Sequence, residues 1–113
     1  MNTRIPAFVM IFSLLALEAL AAKPASIVGN WRFPQESCEQ AIRVGPMSLD
    51  SEDVACRFTS VKRQGATVTW KGSCDDAEGG SAETVIATES DGRLSIRYVN
   101  GGNLLAGLVR CPK

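Results

Sequence analysis

The side chains best equipped for chemistry in this 113-residue chain are two carboxylate runs and four cysteines. Asp75-Asp76-Ala77-Glu78-Gly79-Gly80 is the denser run, and Asp50-Ser51-Glu52-Asp53 is the second. Several oxygen ligands on a flexible loop are what Ca²⁺ takes. The first run nevertheless lacks the D-x-[DN]-x-[DN]-G spacing and the distal Glu of a calcium loop, and it reads as a solvated polar turn between strands. Two carboxylates can also serve as acid and base in glycoside hydrolysis, but both runs are expected in loops of a domain too small for a long substrate cleft. The chain contains no histidine. Ser26, Ser37 and Ser73 therefore have no imidazole to activate them, and neither a Cys-His pair nor a His-ligated metal can form. The expectation is a protein that is not an enzyme and uses no metal and no cofactor.

Cys38, Cys56, Cys74 and Cys111 contain no C-x-x-C knuckle, so a zinc site is disfavoured. An even number of cysteines in an exported domain points to two disulfides, each typically contributing ~2–4 kcal/mol by restricting the unfolded chain. Export is expected from the first segment. Met1 to Arg4 is basic, Ile5 to Leu17 is apolar apart from Ser13, and Ala19-Leu20-Ala21 meets the A-x-A cleavage pattern. The apolar run is shorter than the ~20 residues of a spanning helix. Residues 1–21 are accordingly expected to be a signal peptide, and residues 22–113 a single periplasmic or secreted domain. No cysteine lies at the cleavage site, so no membrane anchor is expected after processing. The chain carries 12 basic and 12 acidic side chains. Removing Arg4 and Glu18 keeps the balance, so no attraction to nucleic acid or anionic membrane is expected.

The elements that would hold these groups are strands. Turn signals recur about every ten residues, the rhythm of an all-β meander. Ile27 to Phe33 forms the first strand. Val54 to Val61 and Ala66 to Cys74 form a hairpin about Arg63-Gln64-Gly65, with Ala66, Val68, Trp70 and Cys74 on one face. Cys56 and Phe58 share a face in the first arm, whereas Val61 falls on the wrong parity and predicts a bulge near Ser60. Glu83 to Thr88, an Asp91-Gly92 turn of type I′, and the alternation of Leu94, Ile96 and Tyr98 give the next hairpin. After Asn100-Gly101-Gly102-Asn103, Leu104 to Arg110 is apolar on both faces, as in a central or doubly covered strand. Pro34 to Asp53 has two readings. Ser37-Cys38-Glu39-Gln40 resembles a capping box opening a short helix; alternatively Ala41 to Val44 and Met47 to Asp50 form a hairpin about Gly45-Pro46, the preferred reading. The fold class expected is all-β, a small antiparallel meander barrel or sandwich of about seven strands, stapled by disulfides. Strand counting then puts Cys38 and Cys111 at one end and Cys56 opposite Cys74 on paired arms, favouring those two bridges. A helix at 38–44 would make Cys38 with Cys56 competitive.

Gly29-Asn30-Trp31, Cys38, Cys56-Arg57-Phe58-Thr59-Ser60-Val61, Trp70 before Cys74, and the closing Arg110-Cys111-Pro112 together resemble a family of small exported four-cysteine bacterial proteins. That resemblance spans nearly all of the processed chain and implies export and disulfides, with no activity attached. A weaker likeness, resting on the G-x-W at the first strand, is to lipocalin-like barrels and to small secreted barrels that inhibit metalloproteases. Only Ala22 to Ile27 precede Val28 here, less than the extended arm such inhibitors insert.

Trp31, Phe58 and Trp70 lie on apolar strand faces, where they either fill the core or line a ligand cavity. Arg32, Arg43, Arg57, Arg93 and Arg97 fall mostly outward, with Arg93 and Arg97 a candidate polar contact surface. The function expected is an exported non-enzymatic interaction protein, an inhibitor or an envelope partner of another exported protein. A lipocalin-like carrier of a small apolar ligand is the alternative, and it requires an apolar cavity of at least ~300 Å³.

Overall fold

The computed structural model describes residues 26–112. The expected signal peptide, residues 1–21, lies outside the described residues. Eight strands form a closed antiparallel barrel in which each strand pairs with its neighbours in sequence and the last returns to the first. They are β1 (Gly29–Arg32), β2 (Ile42–Val44), β3 (Ser48–Asp50), β4 (Ala55–Gln64), β5 (Thr67–Asp76), β6 (Gly79–Ser90), β7 (Arg93–Tyr98) and β8 (Leu104–Arg110). The all-β meander is as read from the sequence, with eight strands in place of about seven. The count is eight because both arms of the preferred hairpin within 34–53 stand as strands beside the six read elsewhere, with the helical signal acting just before them. A single 3-10 turn spans Cys38–Gln40, and Ser37 caps it without a side-chain hydrogen bond. The hairpin β2–β3 follows directly.

Period-two alternation builds the core. Trp31, Leu49, Cys56, Val68, Trp70, Val85, Leu94, Ile96 and Leu108 are fully enclosed. Eight strands enclose an interior that side chains can just fill, and the two indoles take up much of it. Each indole N–H finds a carbonyl, Trp31 at Ile27 O (2.9 Å) and Trp70 at Pro46 O (3.0 Å), as a buried donor requires. Phe58 stacks on Trp70 at 5.1 Å between ring centroids.

Two bulges adjust the faces. The one expected near Ser60 lies between Phe58 and Ser60, and it returns Val61 to register opposite Trp70. Gly72 sits against it. A Cβ at that position would meet the Arg57 carbonyl and approach Phe58 Cα to 2.6 Å, so the strand can pass the bulge only without a side chain. The second bulge corrects the reading of Leu104 to Arg110 as a doubly covered strand. Register shifts between Leu94 and Ile96, and Gly107 in β8 takes φ +73, the left-handed conformation a glycine bulge supplies. One extra residue therefore brings Leu105, opposite Ile96, and Leu108, opposite Leu94, to the same inner face. Leu104 stays outside at 63% exposure. The strand is apolar on both parities because its parity changes midway.

The disulfides are Cys38–Cys111 and Cys56–Cys74, the pairing preferred from sequence. Cys56 and Cys74 face each other directly in the β4–β5 register. The strand count offered for the other bridge does not hold, because with eight strands the end of β1 and the end of β8 lie at opposite ends of the barrel. Cys38 reaches Cys111 because the connection after β1 folds back along that strand, whose Asn30 carbonyl accepts the Cys111 N–H at 2.8 Å.

Arg110 explains the terminal Arg-Cys-Pro in physical terms. Its guanidinium lies 4.3 Å from the centroid of the Trp31 ring and donates to the carbonyls of Ser26 (2.9 Å) and Val28 (3.1 Å). This cation–π contact and the two bonds close one end of the barrel over its core. Gly29, at φ +145, leaves the room: a Cβ there would stand 2.8 Å from the Arg110 guanidinium.

Candidate functional site at the barrel mouth

Connections in an eight-stranded meander alternate between the two ends. Residues 33–41, 51–54, 77–78 and 99–103 join strands at one end, the mouth; residues 45–47, 65–66 and 91–92 join them at the other, the base. The base also holds Arg110 and the start of the described chain. Asp75 and Asp76 are the last residues of β5, and Gly79 and Gly80 begin β6. The denser acidic run is therefore the tip of a long hairpin, the polar turn between strands read from the sequence, with the turn itself narrowed to Ala77 and Glu78. Asp76 accepts the Glu78 N–H at 2.8 Å, which tightens that tip. Among the described residues no group of His, Cys, Asp or Glu is gathered closely enough to hold a metal ion.

Sequence reading overlooked the residue that organises the mouth. Alternation along β6 puts Glu83 on the same face as Val85 and Ala87, so a carboxylate enters the barrel interior, 8% exposed. A buried charge is costly unless hydrogen-bonded. Glu83 Oε2 accepts the N–H groups of Thr84 (3.0 Å) and Asn100 (2.6 Å), and Oε1 accepts that of Gly101 (2.9 Å). The Asn100 side-chain amide donates to Ala82 O at 3.0 Å. These bonds fasten the β7–β8 turn to the wall of β6. Tyr98, on the inner face of β7 with Leu94 and Ile96, is 7% exposed. Burial, and then the nearby Glu83 charge, push its hydroxyl up to about 12.

A cleft of about 390 Å³ opens at this point, with Tyr98, Glu83, Asp75, Asp76, Val54 and Cys74 in its walls. An adjoining cleft shares Val54 and Asp76 and adds Glu52, Asp53 and Glu78. No Lys or Arg lines either cleft. The only ion pair among the described residues lies outside them, between Arg57 and Asp50 at 2.8 Å on the outer wall. Lys62, Arg63, Arg93 and Arg110 lie toward the base, with Glu89 and Asp91. A chain of zero net charge thus carries a mouth end where the acids outnumber Arg32, Arg57 and Arg97, and a largely basic base.

Trp31, Phe58 and Trp70 all belong to the core, and none lines the mouth clefts. Cys56 and Cys74 brace the mouth wall, whereas Cys38 and Cys111 hold the fold-back connection. Arg93 and Arg97 are exposed on β7, away from the mouth clefts. Glu83 had a legible signal, a carboxylate on the buried parity of a strand. Comparison with protein-family models, curated proteins and solved structures finds no match to this chain.

Proposed function

We propose that this chain is an exported, non-enzymatic interaction protein, of the inhibitor or envelope-partner kind, that engages another exported protein through the loops of the barrel mouth. Two disulfides suit an oxidising compartment outside the cytoplasm, and the leader-like first segment supports export to the periplasm or medium. One observation carries the reading. The barrel centre is occupied by Trp31, Trp70, Leu94, Ile96 and Leu108, while the two clefts that meet at Asp76 in the mouth are rich in carboxylates and lined by no Lys or Arg. Recognition loops on a rigid barrel are the usual division of labour in such folds. The filled centre favours this over the carrier of an apolar ligand, since the 390 Å³ cleft lies at the rim and has Asp75, Asp76 and Glu83 among its walls.

Affinity capture from the native extract with the oxidised, processed protein tests it. An exported partner should be retained by the parent and by a base variant, Lys62→Gln with Arg63→Gln. It should be lost from a mouth variant, Asp75→Asn with Asp76→Asn and Glu78→Gln. Retention indifferent to the mouth charges would count against the mouth, and co-purification of an apolar molecule held in the interior would favour a carrier.

A further inference from the structure

Tyr98 is more than nine-tenths buried, yet its hydroxyl takes part in no side-chain hydrogen bond among the described residues. No buried side-chain oxygen among the described residues is sealed off without a partner, so this hydroxyl keeps contact with solvent, and Tyr98 lines the mouth cleft. It stands beside Glu83, whose Oε1 accepts only the single Gly101 N–H, leaving acceptor capacity unused. Asp75 and Asp76 form the outer lip. Every charged group in this wall is an anion, and beside these acceptors stand the Tyr98 and Ser81 hydroxyls and the Asn100 and Asn103 amides, which both donate and accept.

A compact metal ion finds no cage here, because the carboxylates do not converge on one point. An elongated organic cation matches better. Its N–H donors meet separate acceptors down the cleft, its positive charge meets the field of the lip, and an alkyl stem lies against Val54, Ala82 and the Tyr98 ring. A volume near 390 Å³ is ample for one such chain.

We propose that the mouth cleft binds an organic cation, a primary ammonium or guanidinium group on an apolar stem, which passes Asp75 and Asp76 to reach the Tyr98 hydroxyl and the free lone pair of Glu83. The inference rests on the interaction reading above and names the chemistry of its anchor. The same group is offered by a Lys or Arg side chain of a partner protein and by a free aliphatic diamine.

The test is calorimetric titration, with Tyr98 ring resonances followed by NMR, of the oxidised, processed protein. The probes are cadaverine, its neutral analogue pentanediol, an end-blocked Gly-Lys-Gly peptide, its norleucine counterpart, and Ca²⁺. The cations should bind saturably and shift Tyr98, while pentanediol and the norleucine peptide do neither. Tyr98→Phe should weaken binding roughly tenfold, the worth of one hydrogen bond to a charged group. Asp75→Asn with Asp76→Asn should weaken it and flatten its salt dependence, and Lys62→Gln should leave it unchanged. The aspartate pair keeps the proposal testable if Tyr98→Phe disturbs the fold. Tighter binding of the peptide assigns the site to a partner's side chain, and tighter binding of cadaverine assigns it to free amines; each supports the site. Absence of saturable cation binding, equal binding of the neutral analogues, indifference to both mouth variants, or Ca²⁺ taking the site from cadaverine would overturn it. If amines fail while mouth-dependent partner capture persists, the interaction reading stands without this anchor; if both fail, both fall.

Discussion

Raising the pH should unlock the barrel mouth through Tyr98. This is the only tyrosine in the chain, so the tyrosinate absorbance band reports on it alone. Its hydroxyl is pushed up to about 12 in the fold, first by burial and then by Glu83, against about 10 in an unfolded chain. The folded state therefore favours the neutral phenol. Below pH ~10 both states hold the proton and stability is unaffected. Between pH ~10 and ~12 the unfolded state has released its proton and the native state has not, so stability falls as pH rises. A hundredfold difference in proton affinity corresponds to at most about 3 kcal/mol, reduced by water in the cleft that the hydroxyl meets, and lost once the native phenol ionises. The assay is a rapid pH jump, which keeps the disulfides intact, with tyrosinate absorbance read beside urea unfolding curves across the same range. Tyr98→Phe should abolish this part of the alkaline loss. A tyrosinate midpoint near 10 in protein that is demonstrably still folded would refute the burial of Tyr98 beside Glu83, and with it the geometry of the mouth.

Three further outcomes follow from the framework. Gly72→Ala drives a methyl group into the Arg57 carbonyl and Phe58 Cα at the bulge, and should cost about 1–3 kcal/mol by urea denaturation; unchanged stability would mean the bulge is misplaced. Cys38 and Cys111 are separated by 73 residues and Cys56 and Cys74 by 18, so loop entropy predicts losses of about 4 and about 3 kcal/mol when each pair is replaced by Ser; the reverse order would contradict that model. Arg110→Ala removes the cation–π contact and the bonds to Ser26 and Val28, and should speed amide exchange at Val28 and Gly29 while leaving the mouth protected.

The strands from Ala55 onward were legible because their alternation is strong. Val68 and Trp70 against Thr67 and Thr69, or Leu94 and Ile96 against Ser95 and Arg97, admit one face to the core and no other. Val61 betrayed its bulge by breaking that rule. Leu104 to Arg110 misled, because a parity change at Gly107 looks like a strand apolar on both sides. Segment 34–53 was ambiguous since helical and strand signals occupy adjacent residues, and the chain uses each in turn.

The candidate site was less legible than the fold. Attention to carboxylate runs found Asp75 and Asp76 but passed over Glu83, a lone acid in an otherwise apolar alternation. Its importance comes from Asn100 and Gly101, seventeen and eighteen residues downstream, whose N–H groups it collects.

Local patterning by itself determined the all-β class, the hairpin turns and the first bulge, because each depends on side-chain parity over a few residues, and it favoured the Cys56–Cys74 bridge without excluding Cys38 with Cys56. Tertiary structure decided the closure into eight strands, the fold-back that carries Cys38 to Cys111, the cap of Arg110 over Trp31, and the gathering of acids at one end. The reason is that a neutral composition sums charges along the chain, whereas an alternating meander sorts them in space. Every second connection arrives at the same end, so carboxylates far apart in sequence share one mouth.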